Sequence, residues 1–117
     1  MFEFTYRPIV NRSGRGLYGG IRLRVEHDPE QTEFKIVNCI EAEEENRWWP
    51  SAEAGVLKTV DECRPEAPFL DEITISILEI LWHPVDTHDY WVETVGGMVV
   101  REVIKSFPRK FGDSSPG

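Results

Sequence analysis

The sequence predicts an α+β domain with a two-layer core, and two patterns carry the prediction. Apolar residues alternate with polar ones at Ile21, Leu23 and Val25, and again at Ile73, Ile75 and Ile77, which is the period of half-buried strands. Val56, Leu57, Val60 and Cys63, and later Val92, Val95, Val99 and Val103, recur at three- and four-residue steps, the period of a helix buried along one stripe. A chain of 117 residues is one domain with room for a modest core. The domain is expected over residues 1–108, and a flexible tail over 109–117.

Phe2 to Val10 reads as the first strand and Ile21 to His27 as the second. Ser13 to Gly20 joins them as a long hairpin loop holding four glycines, so the backbone there turns sharply or closely approaches a neighbour. Asp28 to Gln31 is a turn set by Pro29. Phe34 to Ile40 is apolar enough for a central strand, and Glu41 to Asn46 reads as a solvated loop that lacks the alternating ligands of a calcium site.

Trp48, Trp49 and Pro50 lead into a helix over Ser51–Cys63. Pro50 suits its start and Glu53 its positive end. The tryptophan pair is expected to pack where the helix begins. Gly55 costs about 1 kcal/mol relative to alanine, and its expected reason is close approach to the sheet. Arg64 to Pro68 ends the helix. In the strand from Ile73 to Trp82 the apolar phase shifts by one residue at Leu78, which requires a bulge or cover on both faces. Trp82 to Val85 is a loop. The second helix is expected over Thr87–Phe107, with Asp86 as N-cap, a staple between Val85 and Tyr90, and Pro108 as its stop. Gly96 and Gly97 inside it imply a near neighbour.

The net charge of −8 opposes binding to polyanions, but the charge is unevenly placed. Through Arg24 there are five arginines and one acid, Glu3, whereas the remainder holds eight basic groups and twenty acids. A basic segment on an acidic body suits a local surface that faces a polyanion. Arg12, Ser13, Arg15 and Tyr18 combine guanidinium, hydroxyl and a flat ring on one glycine-rich loop, chemistry that fits phosphates and bases. Cys39 and Cys63 lack the spacing of a metal or redox pair and read as thiols in a reducing compartment. Met1 is followed by Glu3 and Arg7 without an apolar segment, and no run is long enough for a membrane span, so a cytoplasmic protein is expected.

Three stretches, in order and at compatible spacings, give the sequence a resemblance to domain IV of translation elongation factor G. Ser13-Gly14-Arg15-Gly16-Leu17-Tyr18-Gly19 resembles that domain's Gly-Gly-Arg-Gly-Gln-Tyr-Gly loop. Trp49 to Val56 is similar to its Ile-Pro-Ala-Val-Glu-x-Gly-Ile helix start, and His83-Pro84-Val85-Asp86, with Met98 and Glu102 downstream, to its His-Asp-Val-Asp loop and following helix. The likeness spans Tyr6 to Lys105. Leu17, Gly20 and Pro84 depart from it, standing where the family has glutamine, histidine and an acid.

This resemblance implies a two-layer α/β sandwich of the ribosomal protein S5 domain 2-like type. Its sheet is mostly antiparallel with two helices on one face, and it contains a left-handed βαβ crossover. It also implies two tip loops, one carrying Arg12, Ser13, Arg15 and Tyr18 and the other His83 and Asp86, that touch RNA at the ribosomal decoding site.

The functional expectation is therefore a non-catalytic module for ribosome or structured RNA. The alternative is a protein-interaction module using the acidic Glu41–Glu45 run with Trp48 and Trp49. No Gly-x-x-x-x-Gly-Lys-Ser/Thr loop is present, so no GTP is expected, and no other cofactor or metal. No serine lies in a nucleophile elbow, His27 has no evident partner, and the His83, Asp86 and His88 cluster reads as loop and helix start.

Overall fold

The computed structural model describes residues 1–8, 10–12 and 15–110, with the side chains of residues 10–12, 15–16 and 108–110 outside the description. Four strands form the main sheet: β1 (Phe2–Tyr6), β4 (Gly20–His27), β6 (Ile73–Leu81) and β5 (Lys35–Asn38), in the order β1-β4-β6-β5. β4 pairs antiparallel with both β1 and β6, and β5 lies parallel to β6. Helix α1 (Trp49–Cys63) makes the crossover between β5 and β6, and α2 (Asp89–Lys110) follows β6. A separate two-stranded ribbon joins β2 (Val10–Arg12) to β3 (Arg15–Leu17).

The fold class is the expected one. Ile21, Leu23 and Val25 of β4 and Ile73, Ile75, Ile77 and Ile80 of β6 are buried against Val92, Val95, Val99 and Val103 of α2 and Ala52 of α1. Fully burying one such side chain stabilises the fold by about 1.5–3 kcal/mol. The phase shift read at Leu78 is a register shift. Arg22 lies opposite Glu79 and Leu23 opposite Ile77, leaving Leu78 as the extra residue on β6.

The other face of the sheet is charged. Arg22 reaches Glu79 at 3.1 Å and Glu3 at 3.5 Å, and Arg24 reaches Glu3 at 3.1 Å. Two of the five arginines that made the amino-terminal segment basic are thus paired with acids on this face of the sheet. These pairs are solvent-screened and contribute little stability.

Several expectations are corrected. The first strand ends at Tyr6 because Pro8, without an N–H, cannot extend the ladder; Val10 belongs to the ribbon. β5 is an edge strand and short. The Asn38 side chain turns to local partners, accepting from Ile40 N–H at 2.9 Å and donating to Asn46 at 2.8 Å.

Glu41–Asn46 is not simply a solvated loop, since Glu43–Trp48 form a 3-10 helix. Glu45 Oε1 accepts the Ile80 N–H at 2.9 Å, beyond the last residue that β5 pairs. Glu45→Ala leaves that N–H without its partner and is predicted to cost about 2 kcal/mol in denaturant unfolding. Glu45→Gln, which keeps an acceptor oxygen, should lose less.

Helix α1 begins at Trp49, so Glu53 lies past the first turn. Trp48 is 4% exposed and packs at the start of the helix, its ring 6.1 Å from Trp82 and covered by Arg47 at 4.1 Å. A buried Trp48 cannot serve as half of an exposed docking pair. Leu57 is 43% exposed and leaves the buried stripe, where Ala52 and Thr59 join Val56, Val60 and Cys63. Gly55 meets α2 and not the sheet. A Cβ there would lie 2.0 Å from Glu93 O. The neighbour expected for Gly96 and Gly97 is α1, since a Cβ on Gly96 would lie 2.8 Å from Ala52 O and one on Gly97 2.6 Å from Thr59 Oγ1.

His27 does have a partner, Glu72 Oε1 at 2.6 Å, and its ring stands edge-on to Phe107. Helix α2 starts at Asp89, two residues later than expected, with the Trp91 and Val92 N–H groups bonded to His88 O. Asp86 is therefore no N-cap, and Val85 and Tyr90, 72% and 62% exposed, form no staple. At the other end, the backbone stays helical through Pro108 to Lys110, past the expected stop. Residues 111–117 of the expected tail lie outside the description.

Candidate nucleic-acid interface

The His83–Thr87 turn is built by a short reciprocal set of hydrogen bonds. Pro84 fixes its own backbone angle just after His83. Thr87 N–H donates to His83 O at 3.1 Å, and His83 N–H donates to Thr87 Oγ1 at 2.7 Å. Inside this ring the imidazole folds back. Val85 and Asp86 donate their backbone N–H groups to His83 Nδ1 at 3.1 and 3.2 Å. Asp86 Oδ2 stands 3.6 Å from the same nitrogen. That distance is too long for a hydrogen bond.

The first loop docks onto this turn through Tyr18. Its N–H donates to Asp86 O at 3.2 Å, and its carbonyl accepts the Thr87 hydroxyl at 2.8 Å. The Tyr18 and His83 ring centroids are then 6.2 Å apart and the planes tilted by 56°. The guanidinium of Arg7 lies 5.4 Å over the phenol ring, a cation–π geometry. His83 and Asp86 keep 50% and 47% of their side-chain surface in solvent, so the cluster faces outward.

The glycines have two different duties. Gly19 passes over the indole of Trp91, where a Cβ would lie 2.9 Å from Cδ1. Gly20 is wedged between Arg7, Leu81 and Tyr6 O, each 3.0 Å from such a Cβ. These two glycines seat the base of the loop on α2 and the sheet, and a ligand is not needed to explain them.

Of the six residues singled out from the sequence, the structure brings Tyr18, His83 and Asp86 together. Arg12 and Arg15 are register partners on the β2–β3 ribbon, directly before Tyr18 in the chain. Their side chains, and Ser13 altogether, lie outside the described residues. Two participants were missed. Arg7 belongs to the cluster through Tyr18. Thr87, 5% exposed, ties the two loops together with one hydroxyl. Its position four residues after His83 was the available signal, because threonine closes such local turns.

The arrangement offers an imidazole, a phenol and a guanidinium on one outward surface, which suits hydrogen bonding and stacking with bases and phosphates. Among the described residues no group of three or more His, Cys, Asp or Glu side chains is placed to hold a metal ion. Among the same residues no helix is long and apolar enough to cross a membrane.

No protein-family model matches the chain, and no curated protein matches it. Among solved structures it is similar to a crystal structure from Thermus thermophilus, with a TM-score of 0.64 and 14% identity over 86% of this chain. The chain spans 15% of that protein's length. At this identity the likeness is one of fold, and it bears out the two-layer α/β architecture read from the sequence.

Proposed function

We propose that the chain is a non-catalytic module that binds the ribosome or structured RNA through its two tip loops, in a translation-related role in the cytoplasm. The observation that carries this reading is the docking of Tyr18 onto the His83–Thr87 turn, which joins loops far apart in sequence into one outward surface. Both loops belong to the stretches that resemble domain IV of elongation factor G, and a domain of that type is the finer identity we infer. The action we assign to these residues is steric and electrostatic, with no bond made or broken.

The affinity expected is modest. Arg22 and Arg24 are engaged with Glu3 and Glu79, which leaves Arg7, Arg12 and Arg15 as the basic groups of the first loop. Phosphate contacts dominate such binding, and about two of them lose roughly tenfold in affinity between about 50 mM and about 200 mM salt.

Co-sedimentation with ribosomes at those two concentrations tests the reading. The protein should pellet at low salt, release at high salt, and pellet less as Arg12→Ala or Arg15→Ala, with a shallower salt dependence in each variant. No pelleting at low salt would contradict it.

A further inference from the structure

His83 has an unused half. Its Nδ1 accepts two backbone N–H groups, from Val85 at 3.1 Å and Asp86 at 3.2 Å. A neutral imidazole has one ring nitrogen as donor and the other as acceptor, and the hydrogen bonds made by the first decide the second. Two donors aimed at Nδ1 leave no place there for a proton. The proton of the neutral ring must then sit on Nε2. Among the described residues Nε2 has no hydrogen-bond partner, and half of the side-chain surface faces solvent.

We infer that the loop locks His83 as the Nε2–H tautomer, so that this residue is a fixed, outward hydrogen-bond donor for an acceptor atom of RNA. The inference rests on the reading of the tip as an RNA surface, and it names the chemistry the tip selects. A phosphate oxygen, a base carbonyl and an unprotonated ring nitrogen fit; a second N–H donor at that position does not. The two backbone hydrogen bonds to Nδ1 hold the ring and so give the Nε2 donor a direction, with the tilted Tyr18 ring 6.2 Å to one side. His83 is thus both the brace of its own loop and the group the loop presents.

Those two duties separate by substitution. In His83→Asn the amide oxygen can replace Nδ1 as acceptor for the Val85 N–H, as asparagine does in Asx turns, but nothing replaces Nε2–H. His83→Ala removes both. Long-range proton–nitrogen NMR on the full chain, with the ring neutral, should find the His83 proton on Nε2. A proton on Nδ1 would overturn the lock.

Binding of fluorescein-labelled RNA hairpins with different loop sequences, at low salt, tests the donor. His83→Asn should melt within about 2 °C of the wild type and bind roughly tenfold more weakly, as one lost hydrogen bond to a charged or strong acceptor allows. An equal loss on every hairpin identifies a phosphate acceptor, and a sequence-dependent loss a base acceptor. Wild-type affinity in His83→Asn would overturn the donor role. If the wild type binds neither hairpins nor ribosomes, the RNA target fails, while the NMR result still decides the tautomer.

Discussion

Replacing Gly55 by alanine will lower the melting temperature by roughly 10 °C, because among the described glycines its added Cβ would meet the closest backbone atom. An alanine Cβ would stand 2.0 Å from Glu93 O, 2.8 Å from Glu93 C and 3.1 Å from its Cα, all backbone atoms of α2. Backbone inside a helix cannot step aside alone, so α1 and α2 must separate along their crossing. Overpacking of a tight core costs about 1–3 kcal/mol, and contact with immovable atoms lies at the upper end. Alanine's better helix propensity returns about 1 kcal/mol and only partly offsets this.

Gly97→Ala is the internal control. Its Cβ would meet the Thr59 hydroxyl at 2.6 Å, and that side chain can rotate away. A Gly55→Ala protein as stable as the wild type would mean that the helices do not cross here at backbone distance.

Removing the Thr87 hydroxyl is the second large change, and it acts on the tip. Thr87→Val keeps the shape of the side chain. It deprives the His83 N–H and the Tyr18 carbonyl of their partner at 2.7 and 2.8 Å. Each polar group left unsatisfied in partial burial costs about 1–3 kcal/mol, which places the loss near 3 kcal/mol. Part of that loss is local, because the two loops can open without unfolding the core. The variant should exchange its His83 amide proton faster and lose the proximity of the Tyr18 and His83 rings. Thr87→Ser, which retains the hydroxyl, should restore both. Unchanged exchange in Thr87→Val would show that the His83 N–H is not held by the Thr87 hydroxyl, and that the Tyr18 N–H bond to Asp86 O suffices to keep the loops together.

The layers of the fold were legible because they rest on periodicity. Ile21, Leu23 and Val25 alternate, the valines of α2 repeat along one stripe, and even the shift at Leu78 reappears as a bulge. Sequence was less informative wherever a residue's partner is distant. Gly55 announces a close neighbour, but nothing local says that the neighbour is Glu93 on α2 rather than a strand. Phe34 to Ile40 is apolar, yet its place at the edge depends on how α1 carries the chain to β6.

At the tip, Asp86 looked like a cap because aspartate suits that position and Asp89, three residues later, suits the positive end of a helix. The hydrogen bonds choose a later start, and they free Thr87 to reach back to Tyr18. The loops were readable as two candidates; Thr87 was readable at most as closing its own turn, and its bond to Tyr18 in the other loop was not.

Amide chemical-shift mapping of the labelled protein against a structured RNA at low salt tests most directly whether that surface is used. Perturbations should cluster in residues 12–20 and 83–88, appear together at the same RNA concentrations, and fade as salt is raised. Perturbations centred instead on the α1–α2 face or on the Arg22 and Arg24 side of the sheet, or none at all, would contradict it.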